Sequence, residues 1–203
     1  MPKIGMEKLR RRQLVNATLE VIRDHGVAGA SVSQISARAG LANGMVHHYF
    51  VDKDALFEAT FWELLKRMST QLFALLKGAK TPLDRVNAFV EGNLSSESFT
   101  PENVAAWLAF WAQVPYSPKL QRIHNIIAHR TEAALFRALG QIMPRDEASR
   151  RARAITIFID GIWLRAAVDI DGMTRDVARE LAHEFLGRQL GIPAATCTRS
   201  SHT

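Results

Sequence analysis

Between Asn43 and Tyr49 the chain carries an amide, a glycine and two adjacent imidazoles on a stretch short enough for two helical turns (Asn-Gly-Met-Val-His-His-Tyr). Asn43 can pair with a base edge or a phosphate, His47 and His48 can donate to acceptors, and Gly44 lets one backbone approach another closely. On a helix Val46 and Phe50, four apart, face inward, which leaves Asn43, Met45, His47 and His48 outward. Ser33 on the preceding segment is a further DNA-binding candidate, and Tyr49 and Lys53 suit phosphate contacts. This is chemistry for reading a nucleic acid. It is poor chemistry for a metal, because adjacent helical residues diverge by about 100° and no carboxylate or cysteine lies at ligand spacing.

A second set of residues suits a different task. Trp107 and Trp111 sit one turn apart on a face shared with Val104 and Val114, and Trp163 lies one turn from Asp160. A quaternary ammonium cannot donate a conventional hydrogen bond, so aromatic faces with a nearby carboxylate are what would hold it. The same stripe also suits an aromatic core. Asp160 among so many apolar residues needs a partner, and Arg165 or a cationic ligand could serve. Asn93 intrudes on the face that carries Val86, Phe89 and Val90, while Glu91 points away from it. Phe110 and Tyr116 could complete a cage.

The elements that must position these residues are helices. Ser31 with Gln34 forms a capping signal, the patterned run reaches Ala39, stops at Gly40-Leu41 and restarts at Asn43: two short helices at about 32–39 and 43–49 joined by a tight glycine turn. Before them, Leu9, Leu14, Ala17, Val21 and Ile22 predict a first helix over 7–24, ended by His25-Gly26. After them, Asp52 caps a long connector to Lys77 with a wide apolar stripe through Met68 and Phe73. Thr81-Pro82, Thr100-Pro101 and Ser117-Pro118 each place a capping hydroxyl before a proline whose missing N–H costs nothing at the first helical position. Helices are expected at 82–95, 101–114 and 118–139. Asp146 opens another to Val168, Gly172 breaks it, and Thr174 caps a last one to Leu190. The fold class is all-α with nine helices: residues 1–52 a three-helix helix-turn-helix domain with a basic arm, 53–191 a second helical domain, and 192–203 a disordered tail.

Composition narrows the classes. At 203 residues, 47% hydrophobic and 23% charged, the chain can bury a sizeable core. The net charge of +6 is unevenly placed: residues 1–12 hold Lys3, Lys8, Arg10, Arg11 and Arg12 against Glu7, an arm able to contact phosphates in a salt-dependent way. The single cysteine, Cys197, allows no disulfide framework or zinc ribbon. No run reaches eighteen apolar residues and the basic start lacks an apolar continuation, so neither a membrane span nor a secretory signal is expected, and a cytoplasmic protein is. No phosphate loop, nucleophile elbow or H-E-x-x-H motif is present. Glu180 and His183 fit Glu-x-x-His, but a di-iron bundle needs a second such pair and two further glutamates, so a solvated face is expected there instead. No metal, cofactor or catalytic residue is expected, and a helical adaptor would leave the outward histidines unexplained.

The helix from 146 to 168 is apolar nearly all round beyond Ile155. One surface faces its own domain and the other calls for a copy of the 146–168 and 174–190 pair in a two-fold homodimer. Such a dimer would set two reading helices one DNA turn or a multiple apart, matching a palindromic double-stranded operator.

Taken together, Ser31 to Ile35 (Ser-Val-Ser-Gln-Ile), Ala39-Gly40-Leu41, Asn43-Gly44, Tyr49-Phe50, Lys53 and Leu56 resemble the DNA-binding domain of TetR-family repressors. Within that family Glu91-Gly92-Asn93, Trp107-Leu-Ala-Phe-Trp111 and Asp160-Gly161-Ile-Trp163-Leu-Arg165 look like choline-responsive repressors of glycine betaine synthesis. The resemblance implies a dimer that leaves its operator when a small molecule, here choline, enters a pocket at Asn93, Trp107, Phe110, Trp111, Asp160 and Trp163. A repressor of efflux genes sensing larger lipophilic cations is the alternative. Two residues depart from the pattern: Ala42 stands where a capping Ser or Thr is usual, with Asn43 a possible substitute, and His47 stands where many members carry Tyr.

Overall fold

The computed structural model describes residues 3–169 and 173–192. Among them the chain forms α1 (Lys3–Gly29), α2 (Val32–Arg38), α3 (Asn43–Tyr49), α4 (Lys53–Gly78), α5 (Pro82–Asn93), α6 (Pro101–Gln113), α7 (Pro118–Leu139), α8 (Arg145–Val168) and α9 (Arg175–Leu190), with a short 3-10 turn at Val114–Tyr116 and no strand. The all-α class is as expected. Gly172, Cys197 and the tail from 193 onward lie outside the described residues.

Local chemistry sets most boundaries. Ser31 Oγ accepts from the Gln34 N–H at 3.2 Å while Gln34 Oε1 accepts from the Ser31 N–H at 2.9 Å, a reciprocal box that satisfies two helix-start donors. At the other end of α2, Gly40 adopts φ +67, which lets Leu41 N–H reach the Ser36 carbonyl at 2.9 Å and turns the chain into α3. Thr81, Thr100, Ser117 and Thr174 cap α5, α6, α7 and α9 with their hydroxyls, and Asp52 caps α4 with its carboxylate.

Several bounds differ from expectation. α1 begins earlier and runs through a kink at Gly26 (φ 66) to Gly29. α5 stops at Asn93, and the 95–99 segment is a turn. Pro115 breaks the end of α6 into the 3-10 turn. α8 follows Pro144 and starts at Arg145, so Asp146 is a first-turn acid and not a cap. In α4 the apolar stripe is buried through Leu65 and continues half-buried at Met68 and Leu72, but Phe73 is 64% exposed.

One continuous core runs from Leu14, Ile22, Ile35, Val46 and Leu56 through Leu64, Val86, Leu94 and Phe110 to Leu139, Ile155 and Leu186. Truncating any of these to Ala removes about 2–5 kcal/mol of stability. Two relationships matter for the sites. α1 packs against α2 and α3 on one side and against α4 and α6 on the other, so it joins the two halves of the fold. α5 packs along α4 and comes close to it at Gly92, where a Cβ would stand 3.2 Å from Leu72 Cα.

Candidate DNA-reading helix and effector cluster

α3 is oriented by two buried side chains, Val46 and Phe50, which insert into the core against α1 and α2. Asn43, Gly44, His47 and His48 are exposed, and Met45 and Tyr49 are half-buried. Asn43 Nδ2 approaches Ser33 Oγ at 3.5 Å, which places that exposed pair side by side across the turn. His48 and Tyr49 meet edge to face at 5.0 Å. Ala42 is the cap residue of α3 and makes no side-chain cap bond, so Asn43 does not take over by shifting the start; it is the first helical residue.

The basic residues are not all free. Arg11 donates to the Tyr49 carbonyl at 2.5 Å and lies 4.4 Å from the Phe50 ring centroid, so it fastens the last turn of α3 to α1. Lys53 Nζ donates to the Val27 carbonyl at 3.4 Å and sits 5.1 Å from the Phe57 ring. Lys8 and Arg12 are exposed along α1.

In the second half, Trp107, Phe110 and Trp111 of α6 converge with Trp163 of α8. Ring centroids stand 5.7 Å apart for Trp107–Trp111, 5.4 Å for Trp107–Phe110 and 6.2 Å for Trp107–Trp163. Phe99 and Met68 complete the cluster: Phe99 packs on Trp163 at 5.1 Å, and Trp107 Nε1 donates to the Met68 sulfur at 2.9 Å. Phe99 lies in the 95–99 turn, outside any helical periodicity, which is why spacing missed it; Met68 was legible only as stripe. These separations are those of rings in direct contact, so a cation enters only if the rings part. Among the described residues no acceptor reaches the buried Trp163 Nε1. Immediately outside, a groove of about 350 Å³ is lined by Glu63, Lys66, Arg67, Thr70, Gln71, Glu97 and Ser98, the neighbours in sequence of Met68 and Phe99.

The polar residues expected around the tryptophans are arranged differently. Asp160 is exposed on the outer face of α8 with Ile157, Gly161 and Leu164, and no described residue pairs with it. At that apolar rim its carboxyl loses hydration and is pushed up to about 6. Arg165, the expected partner, pairs instead with Asp169 at 3.2 Å, one turn onward. Asn93 folds back to donate to the Phe89 carbonyl at 2.8 Å, and Tyr116 is exposed. The polar centre that spacing did not find is Glu91. Arg179 donates to both its carboxylate oxygens at 2.9 and 3.1 Å, and His183 Nε2 lies 2.6 Å from Oε1. Burial opposes the charge on Glu91, but the hydrogen bonds from His183 and Arg179 outweigh it and hold the carboxyl at about 2. His183 is therefore buried, not on a solvated face; its place beside Ala182 and three before Leu186, on the stripe that α9 buries, was the available signal.

Two further features concern assembly. Phe158 and Phe185 stack at 4.0 Å and join α8 to α9. On the outside of that pair Ile157, Leu164, Val168, Val177 and Leu181 are all exposed. No helix among the described residues is long and apolar enough to cross a membrane.

With this geometry the comparisons agree. Residues 14–60 match the model for bacterial regulatory proteins of the tetR family, and residues 82–191 match the C-terminal domain of BetI-type transcriptional repressors. The chain is 37% identical to the HTH-type transcriptional regulator BetI of Pectobacterium carotovorum, over 94% of this chain and 98% of that one. Among solved structures, a transcriptional regulator from a Rhodococcus species is 25% identical with a TM-score of 0.76, covering 89% of this chain and 94% of that chain. A protein of Saccharomonospora viridis, described as a transcriptional regulator and solved in complex with choline, shares the fold at 19% identity, with a TM-score of 0.75 and coverage of 87% and 94%. These relatives are regulators, which removes the enzyme reading. The chain belongs to the TetR family of helix-turn-helix transcriptional regulators and carries the C-terminal domain of its BetI-type repressors.

Proposed function

We propose that the protein is a homodimeric, cytoplasmic repressor of genes for glycine betaine synthesis, and that choline or a closely related quaternary ammonium lowers its affinity for a palindromic operator. The observation that carries the effector is the convergence of Trp107, Phe110, Trp111, Trp163 and Phe99 beside Met68, a set of aromatic faces on which a methylated cation is attracted by the ring quadrupoles. The name of the Pectobacterium relative and the choline complex of the S. viridis protein support it. Asp160, exposed on α8, and Asn93, bonded to the Phe89 carbonyl, would join the pocket only if their side chains turned toward the rings. The dimer rests on the exposed apolar side chains of α8 and α9, which a second copy would cover. In the operator, Ser33, Asn43, Gly44, Met45, His47 and His48 face the groove while Tyr49 and Lys53 address its wall, with 1–52 acting as the reading domain and 53–191 as the sensing and dimerising one.

Choline that parts Trp107 from Trp163 moves α6 relative to α8 and favours a domain arrangement that misaligns the two reading helices, a shift of population between two states. The test is operator binding followed by fluorescence anisotropy during titration with choline, tetramethylammonium, glycine betaine and a bulky lipophilic cation. Loss of DNA affinity with the two small cations, abolished in Trp107→Ala, is expected. A response only to the bulky cation transfers the protein to efflux control, and no response at millimolar choline removes the effector assignment.

A further inference from the structure

Besides Lys53, whose Nζ donates to the Val27 carbonyl, two polar side-chain links among the described residues cross from α1 to the sensing half. Arg67 of α4 donates to Asn16 Oδ1 at 2.6 Å, and Arg23 of α1 pairs with Glu102 in the first turn of α6. The second link does not stop at α1. Arg23 Nε also donates to Asp24 Oδ1 at 2.8 Å; Asp24 Oδ2 receives Arg38 Nη2 at 2.8 Å; and Arg38 Nη1 reaches Glu20 Oε2 at 3.1 Å. Arg38 is the last residue of α2, directly before the Ala39-Gly40 turn that aims α3. Four charged residues thus form an unbroken chain from α6 to the end of α2, and Glu20 of α1 adds a branch on Arg38.

We propose that Glu102, Arg23, Asp24 and Arg38 are the positioning residues that couple the aromatic cluster to the reading helix. The proposal rests on the effector reading above, because its input is a displacement of α6. Glu102 and Trp107 stand on the same helix less than two turns apart, so α6 cannot tilt to open the rings without moving the Glu102 carboxylate. The output lies beside a joint: Arg23 and Asp24 occupy the last turn of α1 before Gly26, whose φ of 66 ends the regular helix. Pulling on Arg23 therefore acts where α1 can bend, and Asp24, gripped by both Arg23 and Arg38, passes the displacement to the end of α2. Each ion pair is partly exposed and adds little stability alone. A chain of them with two arrangements is suited to biasing an equilibrium.

The experiment uses full-length protein and operator DNA selected from a random pool, with Glu102→Ala, Asp24→Ala and the double variant. Both residues are acidic and would not themselves hold phosphate. Choline affinity without DNA is read from tryptophan fluorescence, and operator affinity with and without choline from anisotropy. Each single variant is expected to bind choline as wild type does and DNA within about threefold, while the choline-induced loss of DNA affinity falls at least fivefold; the double variant is expected to be no worse than either single. A full choline response in both single variants, or additive losses in the double, overturns the coupling. If wild-type protein ignores choline the effector reading fails separately, and the coupling is then decided by amide hydrogen exchange of α2 and α3 in ligand-free Glu102→Ala: faster exchange than wild type sustains it, unchanged exchange refutes it.

Discussion

Glu91 Oε1 of α5 and His183 Nε2 of α9 lie 2.6 Å apart although 92 residues separate them in the chain. With Arg179 they form the charged seam between the two helices. Glu91 sits at about 2 in the folded protein against 4.5 for the free side chain. A depressed carboxyl contributes stability that is present above the unfolded value and lost as pH falls through the folded one. Wild-type protein should therefore lose about 3 kcal/mol from this group between pH 4.5 and pH 2. Glu91→Gln should cost about 3 kcal/mol at pH 7, since it strands Arg179 and the buried His183, and should flatten that acid limb. Urea midpoints from pH 7 to pH 2 check both.

Replacing Ala42 by Ser should stabilise the protein by about 1 kcal/mol, because α3 starts there with no side-chain cap and extended backbone ready to receive one. Differential scanning calorimetry gives the answer; an unchanged melting temperature would mean that the first-turn N–H groups of α3 are already satisfied by water.

Arg11→Ala should lower stability by about 1 kcal/mol, through loss of its bond to the Tyr49 carbonyl and its place over Phe50. It should also weaken operator binding. Arg12→Ala, lacking such contacts, should weaken DNA binding while leaving urea unfolding unchanged, so the pair separates a fastening role from a phosphate-contact role.

If the proposed dimer forms through α8, Leu164→Glu should convert it to monomer in sedimentation velocity, by placing a charge within the face that includes Ile157 and Val168. Asp160 lies on the same face with its carboxyl at about 6, raised above the ordinary 3.8. A raised carboxyl favours the protonated folded form, so its penalty is absent at low pH, grows as pH rises from about 4 to 6 and is constant above. In the proposed dimer a second copy would cover this carboxyl and desolvate it further, so association should tighten, by no more than about 1 kcal/mol after solvent screening, as pH falls from 8 to 5. Asp160→Asn should remove that dependence.

The pattern of what was legible follows the range of the signals. Ser31 with Gln34, Gly40, and the prolines at 82, 101 and 118 act on residues within four positions, and the helices start or stop where they direct. Trp107, Phe110, Trp111 and Trp163 also met as expected, because bulky aromatic residues at helical spacing seek a common interior. Directions between elements were harder. Asp160 was placed toward Trp163 because the two are a turn apart, yet α8 is apolar on both sides and sequence alone does not say which side faces in. The Glu91 seam needs α5 and α9 to be antiparallel neighbours, and Phe99 needs the course of a turn; neither is encoded by period.

Gly92 brings a mechanical consequence. A Cβ there would stand 3.2 Å from Leu72 Cα, so the absence of a side chain lets the α5 backbone sit close against α4 at that level. From Leu72 down to Lys53, α4 is a lever of about 28 Å at 1.5 Å per residue. A tilt of about 4° about that level swings the lower end by about 2 Å, which in the proposed dimer would put the two reading helices out of step with the DNA repeat. The fulcrum is set by a missing methyl group, and any side chain at position 92 would act as a wedge that changes the resting angle of the arm.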